Sequence, residues 1–290
     1  MKRNGFLSVF SVLALSLLAS CSNNGTNNDN RLVIGMECAY QPFNWTINSS
    51  NEFSLPIFGT NQHADGYDIQ IARYLSKELN KEVVIKKIEW DSLIPSLVNN
   101  EINAVLAGMS VTQERLKTID FTDPYLSSDL AFLIKTENLP EGNSKENPAS
   151  YEELKALFSN QNLVCQANVV GDDIIDTYFA SIDGLNVHHN QPLATYPLAA
   201  LDVKSGAAFA MPAELPVIEA MTNLGGLSVL YCDYESFLSE DDIIGLSVNI
   251  GIKKGNEALK NELNRALAKL SEEERGRLMG EASVRSAQNA

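Results

Sequence analysis

The sequence predicts an α/β fold made of two units of similar size. Early in the chain, strand-length apolar runs alternate with stretches of helical period in the order β-α-β-α-β, which argues for a parallel sheet covered by helices. After a polar interval a second set of the same kind follows. Once the first thirty residues are set aside, about 260 remain, enough for two domains each with its own core.

Arg31 to Gly35 alternates into a short apolar strand, and an aromatic loop follows. Gly66 supplies a turn and Asp68 an expected N-cap for a helix with Ile71, Ala72, Leu75 and Leu79 on one face. Glu82 to Glu89, with Val83, Val84, Ile85 and Ile88, reads as a strand. Asp91 is the expected cap of a second helix through Leu93, Ile94, Leu97 and Val98, and Ala104 to Ala107 is a short buried strand. Phe121 to Leu126 is extended, contains a proline, and leads into Leu130 to Lys135; Glu137 to Ser150 is a polar surface loop. The second set comprises helix Tyr151 to Phe158, strand Leu163 to Cys165, helix Asp172 to Ala180, helix Pro197 to Lys204, strand Ala207 to Met211, helix Glu214 to Thr222 and strand Leu227 to Tyr231. Gly245 to Ile252 alternates as a strand again, and helices Glu257 to Leu270 and Glu272 to Gly280 follow. A closing strand and helices after the second set imply that the chain crosses between the units twice.

At the N-terminus Lys2 and Arg3 precede an apolar core from Phe6 to Ala19, of signal-peptide length and too short to span a bilayer as a mature helix. Leu18-Ala19-Ser20-Cys21 resembles the bacterial lipobox, in which the cysteine is acylated and becomes the first mature residue. An ordinary secretory signal with an incidental cysteine is the other reading. Residues 1–20 are therefore expected to be a lipoprotein signal peptide, Cys21 the lipidation site, and 21–30 a flexible tether, since Ser22 to Asn30 has no apolar residue to bury. Anchor, tether and folded body describe a protein held at the outer face of a cell membrane.

The formal net charge of −15 makes nucleic acid a poor partner. Past Cys21 the cysteines are Cys38, Cys165 and Cys232, an odd number without the spacing of a metal or redox motif. Three small buried residues is the preferred reading, one disulfide among them the other. His188-His189 falls in a loop with too few ligands nearby for a metal, and no metal or cofactor is expected.

The chemistry concentrates in Ala107-Gly108-Met109-Ser110-Val111-Thr112-Gln113-Glu114-Arg115. A buried strand ends in a glycine, Ser110 or Thr112 caps a helix, Ser110 with Gln113 matches a capping box, and Arg115 falls in the first turn. The helix dipole disfavours a cation there. The placement makes sense if the guanidinium grips a carboxylate through two parallel hydrogen bonds; on residues alone, a solvated arginine explains it equally well.

This stretch, followed by Phe121-Thr122-Asp123-Pro124-Tyr125, resembles the extracellular solute-binding proteins (family 3) of ABC importers for polar amino acids. Asp65-Gly66-Tyr67-Asp68, Trp90-Asp91-Ser92-Leu93-Ile94-Pro95, Lys253-Lys254-Gly255-Asn256 and Leu270-Ser271-Glu272-Glu273-Glu274-Arg275 look like the same family, in the same order, over about Leu32 to Glu281. The resemblance implies a type 2 periplasmic-binding fold, two-lobed, with two crossing hinge strands. Residues 31–126 with 246–290 would form one lobe, 130–243 the other, and 127–129 and 244–245 the crossings. It implies that Arg115 clamps the ligand's α-carboxylate, and that the Gly108 carbonyl and Ser110 hydroxyl accept from its ammonium. Tyr40 and Trp45 would pack along the side chain, with core packing as their alternative. Glu214, in Ala213-Glu214-Leu215-Pro216, would bind the ammonium, though a glutamate also simply suits a helix start. Where the family has a glycine-threonine pair, this chain has Asn168 and Val169, so backbone N–H groups remain but the threonine hydroxyl is missing. Glu37, three residues before Tyr40, stands where the family can face a cationic side chain, which leans the ligand toward arginine, lysine, ornithine or histidine.

The expected function is that of a monomeric, non-catalytic, lipid-anchored receptor that captures a free polar amino acid and hands it to an ABC transporter permease. An enzyme on the same fold would need a general acid or base beside a nucleophile; Glu37 and Glu214 qualify as the former, but no nucleophile–histidine pairing is visible at motif level. A lipoprotein feeding a sensor partner is the third class.

Overall fold

The computed structural model describes residues 30–288. The expected signal peptide, Cys21 and nearly all of the expected tether lie outside the described residues. The first half of the chain runs β1 (Arg31–Met36), β2 (Ala39–Tyr40), β3 (Asn44–Ile47), β4 (Leu55–Pro56), β5 (His63–Asp65), α1 (Tyr67–Leu79), β6 (Glu82–Lys87), α2 (Trp90–Val98), β7 (Ala104–Val105), α3 (Gln113–Leu116) and β8 (Ile119–Ser127). The second runs β9 (Leu130–Lys135), α4 (Tyr151–Phe158), β10 (Asn162–Leu163), α5 (Val170–Ile175), β11 (His188–His189), α6 (Tyr196–Ser205), β12 (Ala210–Glu214), α7 (Leu215–Met221), β13 (Leu227–Tyr231), α8 (Glu240–Ile244), β14 (Ser247–Lys253), α9 (Glu257–Leu267) and α10 (Glu272–Gln288).

Two five-stranded sheets, one per lobe, organise these elements. The first has the order β6-β1-β7-β14-β8, with β1 parallel to β6 and β7 and β14 antiparallel to β7 and β8. The second has the order β11-β10-β12-β9-β13, with β10 parallel to β11 and β12 and β9 antiparallel to β12 and β13. The chain leaves the first sheet at Ser127 and enters the second at Leu130; it returns to the first at Ser247. The crossings run side by side, Ser127 pairing with Ser247 and their hydroxyls 3.2 Å apart. Each lobe has its own apolar interior: Leu32, Ile34, Met36, Ile71 and Leu75 are buried in the first, and Phe132, Phe158 and Phe179 pack ring on ring in the second, with centroids 5.0 to 5.8 Å apart. Each such ring contributes roughly 1.5–3 kcal/mol by burial.

Several local expectations are corrected. Asp68 is not a cap: Gly66 holds the N-cap position of α1 at φ +133, and the fully buried Asp68 carboxylate accepts from Asn44 Nδ2 at 2.7 Å and the Tyr125 hydroxyl at 2.7 Å. Asp91 does not cap α2 either; it accepts from Asn168 Nδ2 at 2.9 Å, across the cleft. Thr112 rather than Ser110 caps α3, its hydroxyl accepting from Arg115 N at 3.1 Å, so the Ser110–Gln113 capping box does not form. The aromatic loop holds a four-stranded sheet, β2-β3-β5-β4, whose strands of two to four residues are too short to show alternation. The strand expected at Ala207 to Met211 lies at Ala210–Glu214, and the last helix continues through Gly280 to Gln288.

Candidate functional site

The parallel strands of both sheets end at one crevice, the place where open α/β sheets bind ligands. Glu37 follows β1, Gly108 and Ser110 follow β7, Gln166 and Val169 follow β10, and Glu214 is the last residue of β12. These residues, with Tyr40, Arg115, Trp90, Val170 and Tyr196, line a cavity of about 290 Å³ including its open mouth.

Tyr40 comes from β2 and is held flat between rings. Phe43 stacks on one side at 5.1 Å between centroids and Tyr196 of the other lobe at 4.9 Å. Gly108 makes this possible: at φ +61 it uses backbone that favours glycine, and a Cβ there would come within 2.6 Å of the Tyr40 ring. Its N–H donates to the Tyr125 hydroxyl at 3.0 Å, which donates in turn to Asp68 at 2.7 Å. The buried Asp68 is thus an anchor beneath the cleft floor, and burial raises its carboxyl to about 6.

The charged groups are arranged by sign. Arg115 is half-buried, its guanidinium 5.2 Å from the Trp90 ring centroid. It donates to the Ser110 carbonyl at 2.7 Å and, across the cleft, to the Asn168 carbonyl at 2.8 Å. Two of its five N–H donors are thereby used, leaving three for a ligand. Burial lowers its pKa. Against it stand two buried carboxylates. The Tyr40 hydroxyl donates to Glu214, and burial raises the Glu214 pKa. Glu37 accepts from Gln166 Nε2 at 3.2 Å, and burial raises its carboxyl to about 7.

Of the expected site residues, Glu37, Tyr40, Gly108, Ser110, Arg115, Val169 and Glu214 line the one cavity. Trp45 does not: it is 3% exposed, lines a separate groove with Thr46, Lys87 and Pro197, and its Nε1 has no hydrogen-bond partner among the described residues. Asn168, at φ +60, contributes a carbonyl to the cleft instead of an N–H. Its N–H donates to Asp172 Oδ2 at 3.1 Å, while its carbonyl accepts from Arg115 and from Trp90 Nε1 at 3.3 Å. Trp90, Gln166, Val170 and Tyr196 belong to the cavity without having been singled out. Trp90 lay within a motif already noted; Gln166 and Val170 flank the noted Asn168 and Val169; Tyr196 carried no local signal, being the first residue of an ordinary helix.

Two features set aside in the sequence also find places. Cys38, Cys165 and Cys232 are free and buried. His189 sits in β11, where its ring nitrogens meet Asp172 at 3.1 Å and Asp176 at 2.8 Å, and these contacts raise its pKa.

Known proteins share this architecture. The model for bacterial extracellular solute-binding proteins, family 3, matches residues 32–279. The ABC transporter arginine-binding protein 1 of Escherichia coli is 26% identical over 261 residues, covering 88% of this chain and 91% of the relative. The ABC transporter glutamine-binding protein of Bacillus subtilis is 24% identical over 301 residues, 95% of this chain and 94% of its own length. Among solved structures, an amino acid ABC transporter substrate-binding protein from Streptococcus pneumoniae bound to L-arginine superposes with a TM-score of 0.70 at 21% identity, covering 89% of this chain and 97% of that one. An ancestral amino acid-binding protein, described as a precursor of cyclohexadienyl dehydratase, reaches 0.65 at 22% identity, over 87% and 95% of the two chains.

Proposed function

The chain belongs to the bacterial extracellular solute-binding proteins, family 3, and from that premise we propose that it is a non-catalytic receptor that captures a basic amino acid and delivers it to an ABC importer. One observation carries the reading: a single cavity between two lobes sets one guanidinium, Arg115, against two buried carboxylates, Glu37 and Glu214. An amino acid with a cationic side chain is the mirror of that set, bringing one carboxylate and two cations. Arg115 grips the α-carboxylate, Glu214 with the Gly108 carbonyl and Ser110 hydroxyl holds the α-ammonium, Tyr40 lies along the aliphatic stem, and Glu37 meets the distal charge. With both carboxylates ionised, such a ligand brings the cavity to neutrality, which a neutral amino acid does not. Affinity near micromolar corresponds to about −8 kcal/mol, within reach of one clamped carboxylate and two paired ammonium or guanidinium groups.

In this reading residues 31–126 and 246–290 form one lobe, 130–243 the other, and 127–129 and 244–245 the hinge. The protein acts as a monomer, tethered through an acylated Cys21 to the outer face of the membrane, and hands its ligand to the permease in the closed form. Among the described residues no helix is long and apolar enough to cross a membrane.

Isothermal titration of the purified protein against arginine, lysine, histidine, glutamine and cystine, with Arg115→Ala alongside, tests the ligand. Binding of a basic amino acid, weakened on the order of a hundredfold or more by the substitution, is expected. A folded protein silent to the whole set would sink the reading. For the anchor, Cys21→Ser is expected to move the protein from the membrane fraction to the soluble fraction.

A further inference from the structure

Gln166 is 1% exposed and stands just beyond β10 in the second lobe, yet it reaches the first. Its backbone is held by a parallel bridge to Leu193. Its side-chain Oε1 accepts from the Tyr196 N–H at 3.0 Å, one of the unpaired donors at the start of α6. That bond orients the amide. With the oxygen committed to a donor, the opposite end can only donate, and it donates to Glu37 Oε2 at 3.2 Å. Glu37 and Gln166 are 129 residues apart in the chain and sit on opposite lobes, so the contact exists only when the lobes meet.

The orientation has a chemical consequence. A side chain that presents N–H to the cavity cannot itself welcome a cation. What it can do is bind and stabilise the anion next to it. Glu37 is 6% exposed, and burial, the largest effect on it, favours its neutral form. Glu89 and Asp68 push in the same direction, while Lys87 and the Gln166 bond favour the charged form. Arg115 and Glu214 share its cavity. Gln166 is a group from the opposite lobe whose hydrogen bond favours the carboxylate form of Glu37 against that burial.

We propose that Gln166 is a specificity-positioning residue: on closure its amide locks one oxygen of Glu37 and leaves the other to meet a cationic ligand side chain. The inference rests on the amino-acid reading of the cleft and adds to it that selectivity for a cation is assembled by closure, from one residue of each lobe. A ligand that fails to draw the lobes together never meets the finished subsite.

The experiment is titration of the purified full-length protein with L-arginine and L-glutamine over about pH 6 to 8.5, comparing the wild type with Gln166→Met, Glu37→Gln and the double variant. Methionine keeps the volume and removes both polar ends; Gln166→Ala repeats the measurement with the space cleared, so a folding failure of one variant does not remove the test. The arginine-to-glutamine affinity ratio of Gln166→Met is expected to fall about tenfold or more near neutral pH, as loss of a hydrogen bond to a charged group implies. The pH below which arginine binding weakens is expected to move upward, a change that looser packing would not produce. In the Glu37→Gln background the same substitution is expected to leave the ratio unchanged. A ratio and pH midpoint unaltered by Gln166→Met in a wild type that prefers arginine would overturn the inference and leave the receptor reading standing; so would an equal loss of ratio in the Glu37→Gln background. A wild type that binds glutamine but not arginine sinks the cation reading and the inference together, and one that binds neither takes down the receptor reading with both.

Discussion

Glu37 shows how a buried carboxyl lining the cleft weakens the protein that carries it. Burial raises its carboxyl from the ordinary 4.5 to about 7, so the folded state holds the proton more tightly than the unfolded chain does. The sign follows by linkage: the stability this group contributes is fully present below about pH 4.5 and is lost as pH rises through about 7. Glu37→Gln, with no proton to lose, is therefore expected to stabilise the protein with its lobes together, as in this structure, at about pH 8, by on the order of 3 kcal/mol, and to change little at about pH 4.5. Urea melts at the two pH values check this; equal effects at both would refute it. In the proposed reading the same side chain would make ligand binding depend on pH, because a cation is attracted to the carboxylate and not to the acid. Arg115, Ser110, Gly108 and Glu37 were all legible as candidates from motif and resemblance. Trp45, expected in the cavity, falls outside it: an aromatic on the strand next to the one that reaches the cleft looks the same in sequence as one that lines it. Gln166 and Tyr196 went unread because what brings them into the cavity is the partner each meets from the other lobe.

At the scale of elements, the C-terminal helix α10 matters more than its sequence implied. Expected to end at Gly280, the helix continues to Gln288 and packs against both α1 and α7. In its last turn Arg285, 9% exposed, reaches the fully buried Asp65 at the end of β5, with nitrogen–oxygen distances of 3.0 to 3.2 Å, and lies over the Phe53 ring at 4.2 Å. Asp65 also accepts from Gly66 N at 2.6 Å and Asn51 Nδ2 at 2.9 Å, so it ties the small sheet, the start of α1 and the C-terminal helix into one knot. Arg285→Ala leaves that carboxylate buried without its cation. The expected cost is roughly 3–5 kcal/mol, visible as a lowered urea midpoint with the ligand preference unchanged. A change below 1 kcal/mol would show that Asn51 and Gly66 alone suffice.

At the scale of the molecule, the lobes meet through five polar contacts around the cleft: Tyr40 with Glu214, Gln166 with Glu37, and Asn168 with Arg115, Trp90 and Asp91. All five involve cavity residues or their neighbours, so ligand binding and closure draw on the same groups. Saturating ligand is expected to raise the melting temperature, with about 2.7 kcal/mol of added stability at a hundred times Kd, and to reduce the radius of gyration measured by X-ray scattering. Arg115→Ala is expected to abolish both changes at the same ligand concentration. A stabilised protein of unchanged dimensions would mean that the lobes are already closed before binding.

Periodicity was enough to read two α/β units and most helices, because that signal is local and repeats every two or 3.6 residues; the double crossing needed the order of elements and the family resemblance. Arg115 stood out as a candidate for a related reason: a buried strand, a glycine, a cap and an arginine occupy nine consecutive residues, Ala107 to Arg115, and the resemblance, not the residues alone, proposed the carboxylate clamp over a solvated arginine. The pairing of Glu37 with Gln166, the burial that raises Glu37, the stacking of Tyr196 on Tyr40 and the lock between Arg285 and Asp65 depended on the packed molecule. Each joins residues far apart in the chain, and its energy comes from excluded water and a partner's direction, quantities that exist only once the lobes are folded against each other.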